Sequence, residues 1–226
     1  MVSGVGTTLT VLAVADQVSP YIYDHFTPEP WSGVDLVLSC GDLPPEYLDF
    51  LCTQLNVPVF YVRGNHDCSY GLSQYDGCVS VHGRVVEYRG MRIAGFNGCR
   101  RYNRGGCQFS ERQMRREIHQ TRLHTLRHGL PDIVVTHAPP AGCHDGPDLC
   151  HRGFDCFRRL IEVWQPQVFV HGHTHGHYGS ERISRLGATA VINAFPYRLF
   201  RVTPGARRIR VAGQSTPDRR ELRLAP

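Results

Sequence analysis

At 226 residues, with 41% hydrophobic and 20% charged side chains, the chain has a globular composition and enough apolar material for a sizeable core, expected as one domain over 1–226. No apolar run reaches the ~20 residues that span a bilayer, which excludes membrane-spanning helices. The formal net charge of +5 is uneven: residues 194–226 hold eight Arg against Asp218 and Glu221, while the body is near neutral. That basic, β-rich C-terminal end reads as a solvated strand edge and tail, with nucleic-acid binding the less favoured reading.

In chain order, the apolar and β-branched runs predict strands at 9–15, 34–39, 57–63, 91–96, 133–136 and 168–171. The first run, Thr8 to Ala15, is short, lacks a basic region before it and ends at Asp16, so it reads as a strand rather than a signal peptide. Shorter pairing strands are expected at 79–81 and 85–88, the latter turning through Arg89-Gly90 into Met91 as a tight hairpin. A helix is expected from Pro44-Pro45 to about Leu55, since proline suits a first helical turn. Ser110-x-x-Gln113 is a capping-box pattern that opens a second helix, with Met114, Ile118 and Leu126 near its buried face. A third runs over 154–164, where Phe157, Leu160, Ile161 and Trp164 are spaced for burial and Pro166 stops it. Beyond residue 180 the pattern is strand-like, at 182–186, 188–193, 198–202 and 207–212. Strands mixed with helices, and a β-rich end, suggest an α/β layered sandwich.

Five of these apolar runs end in polar residues of different chemistry. Gly64-Asn65-His66-Asp67 follows the run 57–62, and its glycine lets the backbone turn sharply. Asp16, Gly41-Asp42, His137 and Gly172-His173-Thr174-His175 end the others. Carboxyl ends of strands are where open α/β sheets place their sites. Carboxylate, amide and imidazole together suit divalent first-row metals. Burying so many ionisable groups together is costly unless a cation compensates. His173 and His175 alternate in an extended segment, point apart and can serve neighbouring ions, with the Asp42 carboxylate as the natural bridge. Two cations ~3.5–4 Å apart bind and deprotonate a water between them, and the resulting hydroxide attacks phosphorus in line.

The nine cysteines contain no Cys-x-x-Cys pair. Without a secretion signal, reduced thiols and a cytoplasmic location are expected. Cys143, Cys150 and Cys156 lie near His144 and His151, but their spacing fits no common zinc knuckle, so they read as ordinary loop and helix cysteines.

The series Asp16, Gly41-Asp42, Gly64-Asn65-His66-Asp67, Thr136-His137-Ala138-Pro139-Pro140 and Gly172-His173-Thr174-His175 resembles the calcineurin-like metallophosphoesterases, in a bacterial branch. The resemblance implies a four-layer αββα sandwich with two mixed β-sheets and a dinuclear centre at the strands' carboxyl ends. It implies that Asp42 bridges the ions, that Asn65, His137 and His173 hold the second with it, and that Asp16 and His175 hold the first. Manganese is the favoured metal, with Fe, Zn, Co or Ni as alternatives. His66 would bind phosphate and protonate the leaving oxygen, with Asp67 orienting its imidazole. Asn65, His66, Arg101 and His151, with Arg100, are the candidates for substrate contact.

One motif departs from the family. Where the family has Asp-x-His, this chain has Asp16-Gln17-Val18, and valine cannot bind a metal. A weaker first site follows, with His25 a remote substitute. The expected activity is metal-dependent hydrolysis of phosphodiesters or small phosphorylated metabolites. The alternatives are a non-catalytic scaffold, which the missing histidine favours, a nuclease or a protein phosphatase. Of the remaining histidines, His82, His119, His124 and His128 are expected on surface or helix faces, His171 as a core hydrogen-bonder and His177 beside the metal ligands.

Overall fold

A computed structural model of the chain describes residues 7–175 and 182–205. The expected strand at 207–212, most of the basic end and His177 lie outside the described residues. In chain order the elements are β1 (Leu9–Val14), the short helix α1 (Pro20–Tyr23), β2 (Leu36–Ser39), α2 (Pro45–Leu55), β3 (Val59–Tyr61), β4 (Cys78–Ser80), β5 (Val85–Tyr88) and β6 (Met91–Phe96). The two-residue strands β7 (Cys99–Arg100) and β8 (Gln108–Phe109) follow, then α3 (Glu111–His128), β9 (Ile133–Thr136), α4 (Asp155–Trp164) and β10 (Val168–His171). The described part closes with β11 (Ile183–Leu186), β12 (Thr189–Asn193) and β13 (Tyr197–Val202).

These strands form two larger sheets. The first has the order β13-β1-β2-β3-β4, with β1 to β4 parallel and β13 antiparallel on the edge. The second has the order β11-β12-β10-β9-β6-β5, parallel from β12 to β6 and flanked by the antiparallel strands β11 and β5. Both sheets are therefore mixed, as the resemblance implied. β5 and β6 are joined through Arg89 and Gly90, both at positive φ, which is the backbone a two-residue hairpin turn needs.

Period-2 alternation then divides the core into layers. Val11, Ala13, Leu36, Leu38 and Phe60 from the first sheet pack between the sheets against Ile93, Ile133, Val135, Val170 and Ile192 from the second. The alternate residues Leu12, Val14, Val37 and Val59 face outward onto Ile22 of α1 and Tyr47, Leu48 and Leu51 of α2. On the far side Phe96, Val134, Phe169 and Val191 meet Met114 of α3 and Phe157, Leu160, Ile161 and Trp164 of α4. The result is helix, sheet, sheet, helix, with strands buried on both faces, which is why they read as continuous apolar runs.

The helices start where the sequence placed them. Pro45 occupies the first turn of α2. At α3, Ser110 Oγ accepts the Gln113 N–H at 3.2 Å and the Gln113 side chain accepts the Ser110 N–H at 2.9 Å, a complete capping box. The far half of α3 corrects an expectation: Leu126 is 83% exposed, and Thr121 and Thr125 occupy the buried face instead. Their hydroxyls donate back to the carbonyls of Glu117 and Arg122, so burial leaves neither unpaired.

The expectation of nine reduced cysteines is also corrected. Cys68 and Cys107 form a disulfide, tying the turn after His66 to the loop between β7 and β8. Their separation of 39 residues carried no spacing signal.

Candidate metal centre

Every proposed ligand follows a strand end, and they come from both sheets. Asp16 follows β1, Asp42 follows β2 and Asn65 follows β3; His137 follows β9, and His173 and His175 follow β10. Asp16, Asp42 and His173 have φ of 65°, 55° and 66°. Left-handed backbone is costly for residues other than glycine, and its recurrence here shows turns bent to aim side chains into one space. The preceding glycines make room. A Cβ on Gly64 would overlap the Asp42 carboxylate and lie 2.7 Å from the His137 ring; one on Gly172 would lie 2.6 Å from an Asp16 oxygen.

Asp42, His137 and His173 offer donor atoms within 4.8 Å of one another. His137 is fully buried, and its Nδ1–H donates to the Cys40 carbonyl at 2.8 Å. Its Nε2 therefore faces inward, 3.2 Å from Asp42 Oδ2 and 3.1 Å from Asn65 Oδ1. Asp42 Oδ1 is held by the His66 N–H at 2.8 Å, which leaves Oδ2 for the centre. Asn65 gives its amide N–H to the Tyr102 hydroxyl at 3.3 Å, fixing Oδ1 inward. His173 donates from Nε2 to the Cys150 carbonyl at 2.8 Å, which leaves Nδ1 as the lone-pair nitrogen. Each side chain thus has one polar atom tied to a neighbour and one turned to a common point, the arrangement that orients metal ligands.

Electrostatics agree with the donor chemistry. Burial, then His137 beside it, pushes His173 down to about 3, so it stands in the neutral form that coordination needs. Burial works against charge on both Asp42 and His137. Their mutual attraction prevails, lowering the carboxyl and raising the imidazole. Without a cation, a proton on His137 has to separate the oxygens of Asp42 and Asn65 from its ring nitrogen. A divalent ion fits the same place.

The residues expected to hold the first ion are more open. Asp16 uses both carboxylate oxygens to accept the His173 N–H, at 3.0 and 2.8 Å. His175 Nε2 lies 3.6 Å from Asp16 Oδ1, and its ring, half exposed, stacks on Phe195 at 5.0 Å. Among the described residues these groups do not close into a three-donor cluster of the kind Asp42, His137 and His173 make. Val18 packs instead against the outer apolar cluster, and His25 is exposed.

The other expected residues divide. The His66 ring stands at the rim, 77% exposed, with Nε2 4.0 Å from Asp42 Oδ2. The Asp67 carboxylate hydrogen-bonds elsewhere than to that ring: one oxygen accepts the N–H of Asp42 and of Gly64, each at 2.7 Å. Arg101 is engaged by Gln113 at 3.0 Å and by the Gln108 carbonyl at 3.4 Å. Arg100 is held by the Gly153 carbonyl at 3.0 Å and by Glu111 and Asp155. His151 does approach the centre, its ring 5.0 Å from that of His173 and its Nδ1 3.0 Å from Asp148. His119, His124 and His128 are exposed and His171 is a buried hydrogen-bonder, as expected. His82 differs, since its Nδ1 accepts the Asn97 N–H at 3.2 Å in a half-buried position. Tyr102 and Cys150 touch the candidate ligands Asn65 and His173 directly, a role their sequence positions do not announce; the signal was their adjacency to Arg101 and His151.

The sequence pattern of the calcineurin-like phosphoesterases matches residues 19–177. An uncharacterised protein of Haemophilus influenzae is 26% identical over 191 residues, 69% of this chain and 80% of that protein. The crystal structure of TT1561 from Thermus thermophilus superposes with a TM-score of 0.60 at 17% identity, over 87% of this chain and 98% of the other. Vacuolar protein sorting 29 from Cryptosporidium parvum gives a TM-score of 0.46 at 14% identity, over 86% of each chain. At 17% identity the likeness to TT1561 speaks to the fold alone. The match over 19–177 covers most of the sequence and contains all the turns that carry proposed ligands except that of Asp16: the chain belongs to the calcineurin-like phosphoesterase family.

Proposed function

We propose that this chain is a metal-dependent phosphoesterase acting on phosphodiesters or small phosphorylated metabolites. One observation carries the reading: Asp42, Asn65, His137 and His173 each have their outer polar atom occupied and their inner one turned to a shared point. Divalent ions bound there would supply positive charge to phosphoryl oxygens and acidify a water. Asp42, Asn65, His137 and His173 are the residues to hold the second ion, and Asp16, Asp42 and His175 the more weakly bound first. His66 is suited to the leaving group, because its exposed ring reaches from the rim toward the Asp42 carboxylate. There it binds phosphate and delivers a proton to the departing oxygen. The loops at 68–78, 97–108 and 141–152 would select the substrate, and Tyr102 and Cys150 bring the latter two to the centre.

Turnover of a chromogenic phosphodiester and a phosphomonoester, with and without added manganese or cobalt, tests this. Activity should require the metal. His66→Ala should lose about 10²–10⁴-fold in kcat with metal affinity retained. Asp42→Asn should lose both. A folded, metal-loaded protein that turns over neither ester would favour the scaffold reading instead.

A further inference from the structure

Cys150, His151 and His173 offer a sulfur and two ring nitrogens within 4.8 Å of one another, so this group shares His173 with the centre. Metal–S and metal–N bonds of about 2.0–2.3 Å put neighbouring donor atoms roughly 3 Å apart around one six-coordinate ion, so the group has to draw in by side-chain rotation as the ion binds. Cys150 is already built into the ligand scaffold. Its carbonyl accepts the His173 Nε2–H and so selects Nδ1 for coordination. Its side chain neighbours Tyr102, whose hydroxyl fixes the Asn65 amide. His151 is held through Nδ1 by Asp148, which turns its other nitrogen away from that carboxylate.

We propose that Cys150 is a thiolate ligand of the ion held by His173, with His151 alongside it as a further donor, making this a soft-donor site. The inference rests on the reading that His173 binds a divalent cation. Coordination displaces the thiol proton to solvent, so one proton leaves for each ion bound through Cys150. A thiolate favours Zn, Co or Fe(II) over Mn. The sulfur and the second imidazole then add donors to the second ion, whereas the first ion lost a histidine at Val18.

Cobalt(II) titration of the metal-stripped wild-type protein reads this directly. Bound cobalt should show visible d–d bands together with a near-ultraviolet thiolate-to-cobalt charge-transfer band. In Cys150→Ser the charge-transfer band should vanish while the visible bands persist, and cobalt affinity should fall about tenfold or more. Manganese affinity should change much less. A wild-type cobalt protein with visible bands and no charge-transfer band overturns the proposal while leaving the metal centre intact, whatever the variant does. An unchanged charge-transfer band in Cys150→Ser also overturns it, by assigning the band to another thiol. Failure of wild type to bind cobalt at all would remove the centre and this proposal together.

Discussion

One oxygen of Asp67 accepts the N–H groups of Asp42 and Gly64, and so joins the turn after β2 to the turn after β3. Burial, which outweighs these bonds, raises its carboxyl to about 6. A residue that works by pinning two amides needs an acceptor more than a charge. Asp67→Asn keeps an amide oxygen at the same place. It should retain metal affinity and kcat within about tenfold, whereas Asp67→Ala, which orphans two buried donors, should lose about 10–100-fold in metal affinity. Calorimetric metal titration with matched kinetics separates the two. If the charge instead acts on the His66 imidazole, Asn and Ala would fail alike in kcat while Asn still bound metal normally. Gly64 is subject to a steric limit: Gly64→Ala should abolish tight metal binding, because the new methyl occupies the space of the Asp42 carboxylate. The proposed ligands were visible in sequence because each is a polar residue that stops an apolar run. Their partners were not. Tyr102, Cys150 and the Cys40 carbonyl reach the centre only after distant loops converge, and a hydrogen bond to a backbone carbonyl leaves no trace in residue type.

α3 shows the same contrast at the level of an element. Its start was readable, since a capping box is a local bond between residues three apart. Its buried face was misread at the far end. Leu123 and Leu126 are 71% and 83% exposed, while Met114 is fully buried and Thr121 and Thr125 continue its face. Hydrophobicity alone cannot tell a leucine on a helix's outer side from one on its inner side. Threonine is tolerated inside because its hydroxyl bonds the preceding turn. Denaturant unfolding checks the assignment. Ser110→Ala should cost about 1 kcal/mol, Met114→Ala about 2–4 kcal/mol, and Leu126→Arg no more than about 0.5 kcal/mol either way. A loss of several kcal/mol in the Leu126 variant would mean that this half of the helix packs against something the fold does not include. The strands were easier to find, because burial on both faces makes each an uninterrupted apolar run. The turns that shape the rim of the site carry no such period, and the Cys68–Cys107 bond across them went unforeseen.

In the whole molecule, the centre lies where the two sheets meet at one end. Asp16, Asp42 and Asn65 come from the first sheet, and His137, His173 and His175 from the second. Hydrogen bonds already cross this seam. Asp16 accepts the His173 N–H, and His137 donates to the Cys40 carbonyl. The Arg63 N–H donates to the Asn97 side chain at 2.9 Å. A cation between these donors adds bonds to both halves at once, and the unfolded chain cannot reproduce that geometry. Metal binding must then appear as global stability by mass action. At a free cation concentration 100-fold above Kd the gain is about 2.7 kcal/mol, and for a chain of this size that is a rise in Tm of roughly 5–10 °C. Chelation should reverse it. Asp42→Asn and His137→Ala should each remove most of the shift, since either breaks the compact donor group, while His175→Ala should remove only the smaller part due to the first ion. A thermal scan of these variants with graded manganese or cobalt tests the scheme without any substrate. Equal losses in the His175 and His137 variants would show two sites of equal strength, and the account of Val18 as the cause of a weakened first site would have to be given up.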